Sequence, residues 1–123
     1  MKSLFEDVAF VVYPVSDLQK ARSFYRDTLG LDETANWDDV WLEYDIGHGT
    51  LAITNTFPHL VPGTNGAIAA IEVTDLDAVG SALKEKAIAW ATGPFDTPAC
   101  RGGSIKDPDG NELILHYRKD KQA

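Results

Sequence analysis

Three kinds of side chain in this sequence could do chemistry. Glu72, Glu112 and His116 lie in segments of strand character; Cys100 and Arg101 are adjacent; Trp37 and Trp41 flank Asp38 and Asp39. A glutamate whose charged form is desolvated can act as a general acid or base, and His116 could accept a proton or orient a ligand. In water at a strand end the same glutamates only supply solubilising charge, and His116 packs at an edge beside Tyr117 and Arg118. A displaced metal site built from His116 with Glu72 or Glu112 is a further arrangement of these groups. A cation beside Cys100 would favour a nucleophilic thiolate, although a single cysteine in a strand is more often a small buried hydrophobe. The Arg101 guanidinium matches carboxylates and phosphates, and a solvated surface arginine is the plainer role. Aromatic faces with acids beside them suit a planar or cationic ligand, while Trp41 and Trp90 would equally fill a core or a subunit interface. His48 sits between two glycines and His59 follows Pro58, both positions of exposed turn.

The charge balance removes other classes of partner. The net charge is −8, with 11 basic against 19 acidic side chains. Residues 1–61 carry 4 basic and 10 acidic groups, and residues 62–123 carry 7 and 9. Without a basic stripe, such a chain is a poor binder of nucleic acid or of an anionic membrane surface. One cysteine excludes an intramolecular disulfide and a thiolate-rich zinc site. Residues 1–15 hold the acids Glu6 and Asp7 and no long apolar run, so neither a signal peptide nor a membrane span is expected there and a cytoplasmic location is. With 123 residues, 44% of them hydrophobic and 24% charged, a single folded domain with a real core is expected.

The elements that must position these groups come from a repeat. Val15-Ser16-Asp17-Leu18 recurs as Val73-Thr74-Asp75-Leu76, 58 residues on, nearly half the chain. Each copy reads as a capping box opening a helix, Ser16 with Gln19 and Thr74 with Asp77. The first helix carries a stripe of Leu18, Ala21, Tyr25 and Leu29 and stops at Gly30; the second carries Leu76, Val79, Leu83 and Ala87. An apolar strand precedes each helix (8–13 and 67–73). Strand-like segments follow at 33–37, 40–46 and 50–54, then at 89–95, 101–106 and 112–118. Gly47-His48-Gly49 reads as a hairpin turn and Asp107-Pro108-Asp109-Gly110 as a tight turn. The pattern is βαβββ twice, an α+β fold of two tandem modules (about 7–57 and 67–118) joined by a linker at about 58–66, their curved mixed sheets flanking a cleft.

Val15-Ser16-Asp17-Leu18, Ser23-Phe24-Tyr25, Leu29-Gly30-Leu31 and Asp107-Pro108-Asp109-Gly110-Asn111, at these spacings and with the repeat, resemble the vicinal oxygen chelate superfamily. That superfamily includes glyoxalase I, extradiol dioxygenases, and fosfomycin and bleomycin resistance proteins. The resemblance implies a cleft in which several strands each offer one ligand to a divalent cation. Aligned on the motifs, those positions are Phe10, Ile68 and Ile114, with a fourth near Ala52 where residues 50–54 also lack any carboxylate or imidazole. Divalent cations need lone pairs from oxygen or nitrogen, and these side chains have none. No metal, cofactor or glyoxalase I activity is therefore expected.

If those four positions face inward, strand alternation sends Val8, Val12, Thr50, Thr54, Ala70, Glu72, Glu112 and His116 to the same side. The expected ligand-binding set is Phe10, Trp41, Ala52, Thr54, Ile68, Arg101, Ile114 and His116, with Glu72, Glu112 and His116 as candidate acid–base residues. The resemblance implies a metal-independent binder of small molecules, drug- or metabolite-sequestering, paired as a homodimer. The alternative is a lyase, isomerase or dioxygenase relative using a displaced metal or metal-free acid–base chemistry, and a third possibility is a sensing module with no chemistry.

Overall fold

The computed structural model describes residues 4, 7–57, 60–64 and 66–119, so Glu6, Pro58 and His59 lie outside the described residues. Contacts divide the chain into two units, Met1–Gly63 and Thr64–Ala123.

Unit 1 contains β1 (Val11–Pro14), α1 (Leu18–Arg22) continuing as a π-helical stretch (Ser23–Thr28), β2 (Glu33–Trp37), β3 (Trp41–Ile46) and β4 (Gly49–Thr54). Unit 2 contains β5 (Ala69–Glu72), α2 (Leu76–Glu85), β6 (Thr92–Asp96), β7 (Cys100–Lys106) and β8 (Glu112–Arg118). The sheet orders are β1-β4-β3-β2 and β5-β8-β7-β6. In each, the first strand pairs in parallel with the last and the other pairs are antiparallel. Each module is therefore βαβββ, as the repeat predicts.

The helix starts differ from the expected capping boxes. Asp17 and Asp75, not Ser16 and Thr74, are the caps: each aspartate is extended, and its Oδ1 accepts an amide three residues on, Lys20 N and Ala78 N, both at 3.0 Å. An aspartate caps as well as serine or threonine does and adds a negative charge at the positive end of the helix dipole.

The first helix also departs from the 3.6-residue stripe. The Leu29 amide bonds to the Phe24 carbonyl at 2.9 Å, a π-type bond that adds one residue to the turn. Phe24 and Tyr25 are consequently both buried, with Leu18 and Ala21, while Leu29 is only half-buried. The predicted stop holds, with Gly30 left-handed at φ +74.

In α2 the stripe ends earlier than expected, because Ala87 lies beyond the helix in the left-handed region at φ +57. The Ala87 amide reaches Lys84 O at 3.2 Å and the Ile88 amide reaches Leu83 O at 2.9 Å, closing the last turn in the arrangement that favours glycine. Ala87→Gly is expected to raise stability by about 0.5–1 kcal/mol, read as a higher urea midpoint.

Three strands begin later than their apolar runs. Residues 8–10, 67–68 and 89–91 precede β1, β5 and β6 because the ladders start at Val11↔Leu51, Ala69↔Leu113 and Thr92↔Ser104. Edge strand β6 contains Pro94, which has no amide to donate, and its register slips between Thr92 and Phe95.

Each sheet buries one face. In unit 1 Tyr13, Leu42, Tyr44, Leu51 and Ile53 share the face that takes the Leu18, Ala21 and Tyr25 stripe. Arg22 ties the helix to β2 through a two-pronged bond to Glu33, at 2.9 and 2.6 Å, and Tyr44 Oη donates to the same carboxylate at 3.3 Å. The Glu33 bond raises the Arg22 pKa; burial first, then Glu33, pushes the Tyr44 phenol well above its usual value. In unit 2 the corresponding buried face holds Ile105, Leu113 and Leu115. Among the described residues no helix is long and apolar enough to cross a membrane.

Candidate functional site

On the other face of the unit 1 sheet, the register aligns Val12 and Glu43 with Ala52, and Pro14 and Trp41 with Thr54. Phe10 lies just before β1, its ring centroid 5.4 Å from that of Trp41 and nearly perpendicular to it. Phe57 also meets Trp41 edge-on, with ring centroids 5.9 Å apart. The Trp41 indole Nε1 donates to Glu43 Oε2 at 2.8 Å, which holds a carboxylate beside the aromatic cluster. Phe10 is 44% exposed and Trp37, at the end of β2, 62%. This face therefore presents aromatic surface with a fixed negative charge next to it, suited to a planar or cationic molecule.

Two of the expected binding residues are not presented there. Ala52 and Thr54 are fully buried. The Thr54 hydroxyl donates to Val40 O at 2.6 Å and accepts the Thr56 amide at 3.2 Å, with Thr56 Oγ1 also 2.8 Å away. Their cross-strand partners Glu43 and Trp41 are long side chains on the same face, which accounts for the loss of exposure.

In unit 2, the corresponding face carries the row Glu72, His116 and Gly102, paired across β5, β8 and β7. Glu72 Oε1 lies 2.6 Å from His116 Nδ1, and Oε2 accepts the Arg118 amide at 2.7 Å. Two residues along are Ala70, Ile114 and Ser104; Glu112 pairs with Lys106 at the far end. Ile68 precedes β5 and is 40% exposed. A groove of about 450 Å³ opens beside His116, lined by Pro98, Ala99, Cys100, His116, Arg118 and Lys119.

Arg101 stands on the opposite face. It pairs with Tyr117 in the ladder, and its Nη2 contacts Asp77 Oδ1 in the first turn of α2 at 2.9 Å, a bond that raises the guanidinium pKa. The adjacent Cys100, one residue earlier, therefore points the other way, so Arg101 is not the cation beside the thiol that a nucleophilic Cys100 would require. The residue directly across from Cys100 is Arg118, which sequence reasoning missed because only the β7–β8 register reveals it.

The half-buried Trp90 ring lies against the Gly103 backbone. A Cβ at Gly103 would lie 2.7 Å from the Trp90 ring and 3.0 Å from Thr92 O. Gly103→Ala is expected to cost about 2 kcal/mol, measured by chemical denaturation, as the indole is forced out of its place. His48 sits exposed in the β3–β4 turn. Among the described residues no three His, Cys, Asp or Glu side chains gather where they could hold a metal ion. The four positions at which the resemblance implies ligands carry Phe10, Ala52, Ile68 and Ile114, a donor set that does not fit a divalent cation.

Comparison with known proteins gives a consistent result. The family model described as the Glyoxalase/Bleomycin resistance protein/Dioxygenase superfamily matches residues 8–115. Among solved structures, TnmS3, an antibiotic binding protein from Streptomyces sp. CB03234, is 32% identical with a TM-score of 0.82, over 94% of this chain and 98% of that one. A glyoxalase/bleomycin resistance protein from the same organism is 33% identical with a TM-score of 0.77, over 89% and 98%. A superfamily member from Sphaerobacter thermophilus shares the fold at 22% identity and a TM-score of 0.77, over 94% and 99%. No curated protein matches significantly.

Proposed function

Starting from a chain that belongs to the glyoxalase/bleomycin resistance protein/dioxygenase superfamily, we propose that it is a metal-independent small-molecule binding protein of the drug-sequestering kind. The observation that carries this reading is the Phe10–Trp41–Phe57 cluster with the Glu43 carboxylate bonded to its central indole. Aromatic faces grip a planar ligand by stacking, and the carboxylate adds attraction for a positive one. The excess of acids in residues 1–61, 10 against 4 bases, biases the surroundings the same way. Apolar side chains at the four ligand positions support binding without a metal, and the antibiotic-binding relative at 32% identity supports the class of ligand.

The reading includes a homodimer in the cytoplasm and no glyoxalase I turnover. It is tested by thermal shift against a panel of cationic and neutral polycyclic antibiotics that includes bleomycin. A ligand at 100 times its Kd stabilises the folded state by about 2.7 kcal/mol, a shift of several degrees. No shift with any member of the panel contradicts the reading. The enzyme alternative is favoured by one observation, the 2.6 Å contact between Glu72 and His116.

A further inference from the structure

The His116 ring in unit 2 is bonded through one of its two nitrogens. Strand β8 runs between β5 and β7, and His116 is paired with Glu72 on the first and Gly102 on the second. Its Nδ1 lies 2.6 Å from Glu72 Oε1. A carboxylate only accepts, so Nδ1 donates and, in the neutral ring, Nε2 keeps its lone pair. The other Glu72 oxygen accepts the Arg118 amide at 2.7 Å, so the backbone of β8 steadies the carboxylate that sets the tautomer. On the β7 side, Gly102 offers no side chain to bond Nε2. Among the described residues nothing else bonds it, and the only buried side-chain polar atom left without a partner is Ser104 Oγ. Nε2 is therefore an acceptor that solvent reaches, on a side chain 30% exposed.

The groove of about 450 Å³ lies beside this ring. Pro98, Ala99 and Cys100 contribute small, mostly apolar surface to it, and Arg118 and Lys119 add positive charge, Lys119 being paired with Asp96. We propose that this groove binds phenols that carry a single hydroxyl, with the aromatic ring against the apolar lining and the hydroxyl donating to His116 Nε2. One open acceptor calls for one donor. A phenol donates more strongly than an alcohol, because its ring spreads the negative charge that builds on oxygen as the proton is shared. The positive field in the groove favours the same polarisation, and no direct bond from Arg118 or Lys119 is required. Glu72 is a positioning residue that acts through the imidazole by keeping its proton on Nδ1. The site uses residues of unit 2 alone and does not rest on the aromatic face of unit 1, so its failure leaves the ligand-binding reading standing.

The test is an NMR titration of the full chain, its histidines labelled with nitrogen-15, near neutral pH. The probe is 4-cyanophenol, and the control is 4-cyanoanisole, the same ring with its hydroxyl capped. Free wild-type protein is expected to show His116 as the Nδ1–H tautomer, its Nε2 resonance identified by its absence from His116→Phe. 4-Cyanophenol should shift that resonance saturably and bind about ten-fold more tightly than 4-cyanoanisole. His116→Phe should bind the two alike. Glu72→Gln should lose most of the preference, because an amide there can donate to Nδ1 and move the ring proton to Nε2. An Nε2–H tautomer in the wild type overturns the proposal. So does the absence of a saturable shift, equal affinity for the two probes, or a folded His116→Phe that still prefers the phenol. An unchanged preference in a folded Glu72→Gln overturns the positioning role. If His116→Phe fails to fold, the wild-type comparison of the two probes decides.

Discussion

Asp107→Ala should destabilise the protein by about 3 kcal/mol, the largest stability effect of any single change considered. The Asp107 carboxylate is 5% exposed and organises the whole β7–β8 turn. Its Oδ1 accepts the Asp109 amide at 2.9 Å and the Asn111 amide at 2.8 Å, and its Oδ2 accepts Asn111 Nδ2 at 2.9 Å. The backbone closes the same turn, Gly110 N to Asp107 O at 3.0 Å and Asp107 N to Asn111 O at 2.9 Å. Truncation strands three donors around a buried position, and each buried donor without a partner costs roughly 1–3 kcal/mol, partly relieved by water. Asp107→Asn keeps one oxygen for the two backbone amides and should cost about 1 kcal/mol. Urea midpoints of the two variants check the ordering; equal losses would mean that the carboxylate does not set the turn.

Trp41→Ala should weaken ligand binding at least about 30-fold, equivalent to 2 kcal/mol, the size of loss that marks an aromatic anchor at the centre of a contact. The indole is the ring that both Phe10 and Phe57 touch, and its Nε1 donates to the Glu43 carboxylate. Its removal takes away the central stacking face and releases the carboxylate together. Glu43→Gln should spare neutral ligands and weaken cationic ones, which separates stacking from charge. Calorimetric titration of each variant with a cationic antibiotic from the panel gives both losses. A Trp41→Ala protein that binds as tightly as the wild type would place the ligand elsewhere.

Local chemistry made much of the fold legible before any coordinates. The repeated Val-x-Asp-Leu segments announced two helix starts, and Asp107-Pro108-Asp109-Gly110 announced its turn, because both depend on residues within a few positions of each other. The cap moved by one residue, to Asp17 and Asp75, since serine, threonine and aspartate offer equivalent oxygens and only backbone geometry chooses among them. The π-turn after Arg22 left no trace in a 3.6-residue pattern, so Phe24 was missed as a core residue.

Long-range pairing was the harder part. Alternation along β5 and β8 put Glu72 and His116 on one side, but only the parallel register sets them opposite each other. The same limit hid the surroundings of Arg101: neighbours in sequence on a strand face opposite ways, so Cys100 is paired in register with Arg118 while Arg101 bonds to Asp77. Alternation from Ala52 put Thr54 on the cleft side but could not show that it is fully buried there, with its hydroxyl donated to Val40 O.

The most direct test of the central claim is a calorimetric titration of tag-free protein, dialysed against chelator and checked by elemental analysis, with the antibiotic that gives the largest thermal shift. Saturable binding with a Kd of about 1 μM or tighter, unchanged when Zn, Ni, Mn or Fe is restored, is the predicted result. Binding that appears only after one of those ions is added would contradict the account.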